Sequence, residues 1–187
     1  MKRRVIAVTG GIGSGKSEVC RFLREMGYLT VDCDTLARQI ADEPQVVAAV
    51  ERLLGSDCVK DGAINRAKVR EIVFKDAELL KKYDEIFFER VKQRLNEAVN
   101  GASGVVFVEI PVIDTFDFAF DEIWLVESDK KSRIDRVIDR DNVSVENVEH
   151  IMEKQHYPQF TRKILNDGSL EELKKQVLSA LIDGKIV

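Results

Sequence analysis

Near its start the chain reads Gly10-Gly11-Ile12-Gly13-Ser14-Gly15-Lys16-Ser17, which fills every fixed position of the pattern GxxxxGK[ST]. Before it lies Arg3-Arg4-Val5-Ile6-Ala7-Val8, a short apolar stretch of strand type; after it Val19, Phe22, Leu23 and Met26 recur at helical spacing. A strand that turns through a glycine loop into a helix admits few folds, and that context makes the pattern a site. The glycines let backbone N–H groups turn inward around phosphate oxygens, and the helix N-terminus adds partial positive charge. Lys16 supplies a mobile full charge for the outer phosphates, and the Ser17 hydroxyl is placed to bind Mg²⁺. A glycine turn that served packing alone would have no use for the Lys-Ser pair. The expected nucleoside triphosphate site is therefore Gly11, Ile12, Gly13, Ser14, Gly15, Lys16 and Ser17.

The rest of the chain supports an α/β architecture. Apolar runs of strand length occur at Leu29-Thr30-Val31, Val105-Val106-Phe107-Val108, Ile123-Trp124-Leu125-Val126 and Lys163-Ile164-Leu165. Helical stretches separate them: Thr35 to Ala41, Gln45 to Leu54 after Pro44, Asn65 to Phe74, Asp76 to about Asn100, Lys130 to Arg140, and Ser144 to Met152. Gly55 to Gly62 reads as loop, and Ser169 with Glu172 forms a capping box that opens a terminal helix. Alternating strands and helices imply three layers, with a parallel sheet of about five strands between helices. Ligands in such sheets collect at the carboxyl ends of the strands. The glycine loop, Asp32, Asp34 and the segment Glu109-Ile110-Pro111-Val112-Ile113-Asp114 are all expected on that edge.

Composition narrows the partners. With 187 residues, 44% of them hydrophobic, the chain can bury one well-packed domain with a small insertion. Twenty-nine basic and 33 acidic side chains leave a net charge of −4, so no global basic field is available to hold nucleic acid. No apolar run approaches the roughly 20 residues of a membrane span. The apolar stretch after Met1-Lys2-Arg3-Arg4 breaks at Thr9-Gly10, unlike a secretory signal, and Cys20, Cys33 and Cys58 show no paired spacing. A cytoplasmic protein without membrane or nucleic-acid partners is expected, its oligomeric state unread.

Asp34 is a candidate to accept or orient the acceptor's hydroxyl proton, with Asp32 two residues before it at the same strand end if the strand continues. The bland alternative is a helix cap near Thr35. Arg133, Arg136 and Arg140 share one helical stripe and can form an arginine clamp over a triphosphate, Arg140 above all; the alternative is a solvated face of ion pairs. His150 and His156 lack metal-ligand companions, and Trp124 and Phe107 belong to core strands. Phe74, Tyr83, Phe87 and Phe88 are either core or the wall of an acceptor pocket.

Several blocks together resemble the dephospho-coenzyme A kinases. These blocks are Val8-Thr9 leading into the loop, Asp32-Cys33-Asp34 with Leu36-Ala37-Arg38, and Gly62-Ala63-Ile64-Asn65-Arg66 running to Val73-Phe74. Arg136-Val137-Ile138-Asp139-Arg140-Asp141 and Asn166-Asp167-Gly168-Ser169 complete the series in order. The resemblance implies a P-loop kinase that uses ATP and Mg²⁺ to phosphorylate the ribose 3′-hydroxyl of dephospho-coenzyme A. It also implies catalytic roles for Lys16, Asp34 and Arg140, with Ser17 on the metal. The implied subregions are a nucleotide-binding core at about 1–34, 102–128 and 160–187, a helical acceptor-binding region at about 35–101, and a lid at about 129–159.

The chain departs from the family at Ile86-Phe87-Phe88-Glu89, where the family has His-Pro after the isoleucine. It departs again at Pro111-Val112-Ile113-Asp114-Thr115, in place of Pro-Leu-Leu-Phe-Glu, and between Gln155 and Asn166, which is short and lacks an Ala-Asp pair. It therefore reads as a divergent member. Two alternatives stay open: a P-loop kinase for another nucleotide or nucleoside, and a nucleotide-binding module without turnover.

Overall fold

The computed structural model describes residues 3–111, 113, 118–141 and 143–187. In chain order the first elements are β1 (Arg4–Thr9), α1 (Lys16–Glu25), β2 (Leu29–Asp32), α2 (Cys33–Ile40) and α3 (Pro44–Leu54). Next come β3 (Val59–Lys60), β4 (Ala63–Ile64), α4 (Arg66–Val73), α5 (Ala77–Asn100) and β5 (Val105–Glu109). The chain ends with β6 (Glu122–Glu127), α6 (Lys130–Asp141), α7 (Val145–Glu153), β7 (Arg162–Leu165) and α8 (Leu170–Asp183). Two compact units result, Met1–Asp32 with Gly101–Val187 and Cys33–Asn100.

The first unit is built on a five-stranded sheet in the order β2-β5-β1-β6-β7, and every pairing is parallel. The apolar runs dictate this arrangement, because residues such as Ile6, Val8, Phe107, Trp124 and Val126 have no solvent-facing side and are fully buried. Val19, Phe22 and Leu23 of α1 and Leu173, Val177 and Leu181 of α8 close the same core. Trp124 and Phe107 meet edge to face at 5.1 Å within it, as core residues. The register sets Glu109, the last residue of β5, between Val8 of β1 and Asp32 of β2. Two carboxylates thus lie side by side on the carboxyl edge of the sheet, next to the strand that feeds the glycine loop.

One polar cluster interrupts the apolar core. Glu122, 8% exposed, accepts from Trp124 Nε1 at 3.0 Å and Arg162 Nε at 3.0 Å, and pairs with Arg4. Arg4 also donates to the Gly184 carbonyl at 2.8 Å, so the cluster joins β1, β6, β7 and the end of α8.

The second unit contains α2 to α5 and a small hairpin. Asn65 caps α4 by accepting from Lys68 N, and Asp76 caps α5 by accepting from Glu78 N and Leu79 N. Glu43, which precedes α3, accepts from Arg90 and Arg94 of α5, and these guanidiniums hold its carboxyl below the usual range. The expected loop at Gly55 to Gly62 in fact holds a 3₁₀ turn, Ser56–Cys58, and one arm of the β3-β4 hairpin. Asp61 and Gly62 both take positive φ, 52° and 77°, as a two-residue hairpin turn requires.

A second correction concerns Asp32 and Asp34. Extended geometry does not continue past Asp32; the helix begins at Cys33 and puts Asp34 in its first turn, so strand alternation does not relate the two side chains. Val112 and Asp114 of the expected edge segment lie outside the described residues.

Removing the Glu122 carboxylate leaves two half-exposed guanidiniums and an indole without their shared acceptor. Glu122→Ala is expected to lower stability by about 3 kcal/mol, the low end of the range for a broken buried ion pair because both arginines are partly exposed. Urea denaturation checks it, and a loss under about 0.5 kcal/mol, the level of an ordinary surface substitution, contradicts the assignment.

Candidate active site

The glycine loop leaves β1 after the buried Thr9 and enters α1 at Lys16. Gly15 precedes the helix in a left-handed conformation (φ 97°, ψ 23°), and its carbonyl accepts from both Glu18 N and Val19 N. A Cβ there would lie 2.1 Å from Asn166 Nδ2; at Gly13 (φ 73°) it would lie 2.4 Å from the Arg133 carbonyl oxygen. Close approach and positive φ together restrict both positions to glycine.

Each loop carbonyl from Gly10 to Ser14 meets a side-chain donor. Lys16 Nζ donates to Gly10 O at 2.9 Å and Gly11 O at 3.1 Å. Arg133 Nε donates to Ile12 O at 2.9 Å, Arg136 Nη1 to Gly13 O at 3.1 Å, and Asn166 Nδ2 to Ser14 O at 2.8 Å. In a planar trans peptide the N–H points opposite the C=O. Holding the Ile12 and Ser14 carbonyls therefore turns the Gly13 and Gly15 N–H groups away from Arg133 and Asn166. The Ile12 and Ser14 amides are used inside the protein, donating to Gln155 Oε1 at 3.0 Å and Gly11 O at 3.2 Å.

At the helix end of the loop, Ser17 Oγ donates to Glu109 Oε1 at 2.6 Å. Beneath this pair lies Cys20, 1% exposed; burial first and the Glu109 carboxylate second push its thiol well above the usual range. Cys20 is thus a neutral, buried group, as its place on the first helix suggests. A hydroxyl beside two adjacent carboxylates is an all-oxygen donor set of the kind that suits a hard divalent cation.

The other sequence-derived candidates are placed as follows. Asp34 occupies the first turn of α2, in the second unit. Arg140, near the end of α6, is exposed and forks onto Asp141, with Nε–Oδ1 at 2.7 Å and Nη2–Oδ2 at 2.6 Å. Of the α6 stripe, Arg133 and Arg136 touch the loop backbone. Sequence reasoning gave no loop contact to Glu109, Gln155 or Tyr157. Glu109 was expected on the same sheet edge as the loop, and what the sequence did not give is its bond to Ser17; Gln155 and Tyr157 carry no comparable signal.

The second unit has a cleft of about 420 Å³ of its own. Phe74, Tyr83 and Phe87 give it aromatic walls, and Arg38, Arg66 and Arg70 bring positive charge. Phe74 is 73% exposed, and the Tyr83 and Phe87 rings meet at 5.0 Å, tilted by 52°. Of the four aromatics weighed for a pocket wall, Phe88 alone does not line it. Asp84 also lines the cleft, and burial raises its carboxyl above the ordinary range.

A carboxyl whose folded pKa exceeds its unfolded value holds its proton more tightly when folded. Its ionised form then opposes folding, fully above the folded pKa and not at all below the unfolded one. Asp84→Asn is accordingly expected to raise the urea midpoint at about pH 7 and to leave it unchanged at about pH 3. Equal gains at both pH values would contradict the burial argument.

Comparison with known proteins covers nearly the whole chain. The dephospho-CoA kinase family model matches residues 4–172. The dephospho-CoA kinase of Hydrogenovibrio crunogenus is 31% identical over 194 residues, spanning 95% of this chain and 96% of the relative. The crystal structure of TT1252 from Thermus thermophilus superposes with a TM-score of 0.86 at 30% identity, covering 98% of both chains. Dephospho-CoA kinase from Campylobacter jejuni shares the fold at TM-score 0.63 and 19% identity, covering 97% of both. Among the described residues no helix is long and apolar enough to cross a membrane. A glycine loop with its lysine and serine, a five-stranded parallel sheet and a family match along most of the sequence agree: the chain belongs to the dephospho-CoA kinase family, as a divergent member.

Proposed function

We propose that this chain transfers the terminal phosphoryl group of ATP to the ribose 3′-hydroxyl of dephospho-coenzyme A, giving coenzyme A and ADP. The observation that carries the reading is the loop itself, whose carbonyls are held by donors while the Gly13 and Gly15 amides face the other way. Lys16 then exchanges its two carbonyl partners for the outer phosphates, a substitution that a flexible ammonium makes readily. Ser17, with Glu109 and Asp32, would hold Mg²⁺, which when bound offsets negative charge on the phosphates.

Within this reading Asp34 orients the acceptor hydroxyl and takes its proton. Arg140 meets charge on the transferred group; the planar fork it now offers to Asp141 suits phosphoryl oxygens equally well. Residues 1–34, 102–128 and 160–187 form the nucleotide-binding core, 35–101 the acceptor-binding region and 129–159 the lid. The cleft with Arg38, Arg66 and Arg70 and its aromatic walls fits an acceptor with phosphate groups and a flat base. These partners are small molecules, and the reading calls for neither nucleic acid nor membrane; it places the enzyme in the cytoplasm.

A coupled assay with ATP, Mg²⁺ and dephospho-coenzyme A, run beside nucleoside monophosphates, tests the reading. Preferential turnover of dephospho-coenzyme A is expected, and preference for a monophosphate would replace the acceptor. Asp34→Asn is expected to cut kcat by about 10² or more while leaving the KM for ATP within about threefold. Equal losses in both would move Asp34 to metal binding. Arg140→Ala is expected to lower kcat by about 10² to 10³, as loss of a transition-state arginine does. A change confined to the KM for ATP would make it a docking contact.

A further inference from the structure

We propose that Arg133 and Arg136 are positioning residues for the phosphate loop, holding its carbonyls from behind, and that they do not reach the transferred phosphoryl group. The inference rests on the reading of the loop as the ATP site and adds to it the device that fixes its conformation. Both residues lie on α6 at i and i+3, so one helix face presents two guanidiniums to consecutive loop carbonyls, Ile12 O and Gly13 O.

Three of the five N–H groups on each guanidinium already serve the protein. Arg133 gives Nε to Ile12 O, Nη1 to Tyr157 Oη at 2.8 Å and Nη2 to Gln155 Oε1 at 3.0 Å. Arg136 gives Nη1 to Gly13 O and Ser128 Oγ, and Nη2 to Asn166 O at 2.8 Å. Swinging either guanidinium round to a reacting phosphoryl would pull Arg133 Nε off Ile12 O or Arg136 Nη1 off Gly13 O. Gln155 completes the node, since the oxygen that accepts from Arg133 also accepts from Ile12 N. Arg133 and Gln155 thus grip both polar groups of Ile12.

The charge of Arg133 has a second consequence. The side chain is 8% exposed, and among the described residues its acceptors are a carbonyl, a hydroxyl and an amide, all neutral. Desolvating a cation costs several kcal/mol when no anion answers it. A polyphosphate in the loop would supply an anion close to this cation, so occupancy and the Arg133 charge favour one another.

The test measures equilibrium binding of ATP, of inorganic tripolyphosphate and of adenosine to the wild-type enzyme, Arg133→Lys, Arg133→Met and Tyr157→Phe. The lysine keeps the charge but cannot bond Ile12 O, Tyr157 and Gln155 together. Both Arg133 variants should bind ATP and tripolyphosphate about tenfold to a hundredfold more weakly, with adenosine unaffected and kcat at saturating ATP within about threefold. Tyr157→Phe removes a single acceptor and should weaken both anions by about fivefold; it carries the test should the Arg133 variants not fold. Wild-type anion affinity in Arg133→Lys or in Tyr157→Phe overturns the proposal, as does a loss confined to kcat. Tripolyphosphate binding needs no acceptor, so a wrong acceptor assignment would leave these results untouched.

Discussion

The structure depends on the direction of a few peptide dipoles. A short loop between β1 and α1 carries as many carbonyls as amides, and left alone it would offer an anion both signs of partial charge. In this chain Lys16, Arg133, Arg136 and Asn166 take the carbonyls of Gly10 to Ser14. The amides of Gly13 and Gly15 are directed away from those donors, at the positive end of α1. The sheet makes this possible: β6 and β7 flank the loop strand on one side, so Asn166, directly after β7, arrives behind the loop. α6, following β6, brings the two arginines to the same place.

How much of this was legible depends on the range of the interaction. The β1-loop-α1 unit is local: an apolar run, a glycine loop and helical spacing all lie within about two dozen residues, and each survives in the structure. β1, β5 and β6 were legible because burial on both faces leaves continuous apolar runs, whereas the edge strands β2 and β7 show only short mixed stretches. The hairpin at Val59 to Ile64 was missed although Asp61-Gly62 is a hairpin turn pair, because strands of two residues show no alternation. The strand ending at Asp32 looked extendable, since Cys33 and Asp34 suit a strand end as well as a first helical turn.

Site roles were harder to read, because they depend on partners distant in sequence. The spacing of Arg133, Arg136 and Arg140 gave the stripe but not the assignment within it. Arg133 meets Ile12 across 121 positions and Arg136 meets Gly13 across 123, whereas Arg140 bonds its immediate neighbour Asp141. Glu109 becomes meaningful only when the register sets it between Val8 and Asp32. In the second unit, Phe87 stands in one of the stretches where the sequence departs from its family, and it proves to be a cleft wall in tilted contact with Tyr83. One departure from the family thus falls on this cleft, while the loop keeps every fixed position of its pattern.

The central claim is that oriented loop amides receive the phosphates, and amide resonances report on it directly. In a ¹⁵N-labelled enzyme titrated with ATP and Mg²⁺, the Gly13 and Gly15 amides should move strongly downfield as they gain charge-assisted hydrogen bonds. The Ile12 amide, already bonded to Gln155, should move little. Large movement at Ile12 with Gly13 and Gly15 unperturbed would contradict the account.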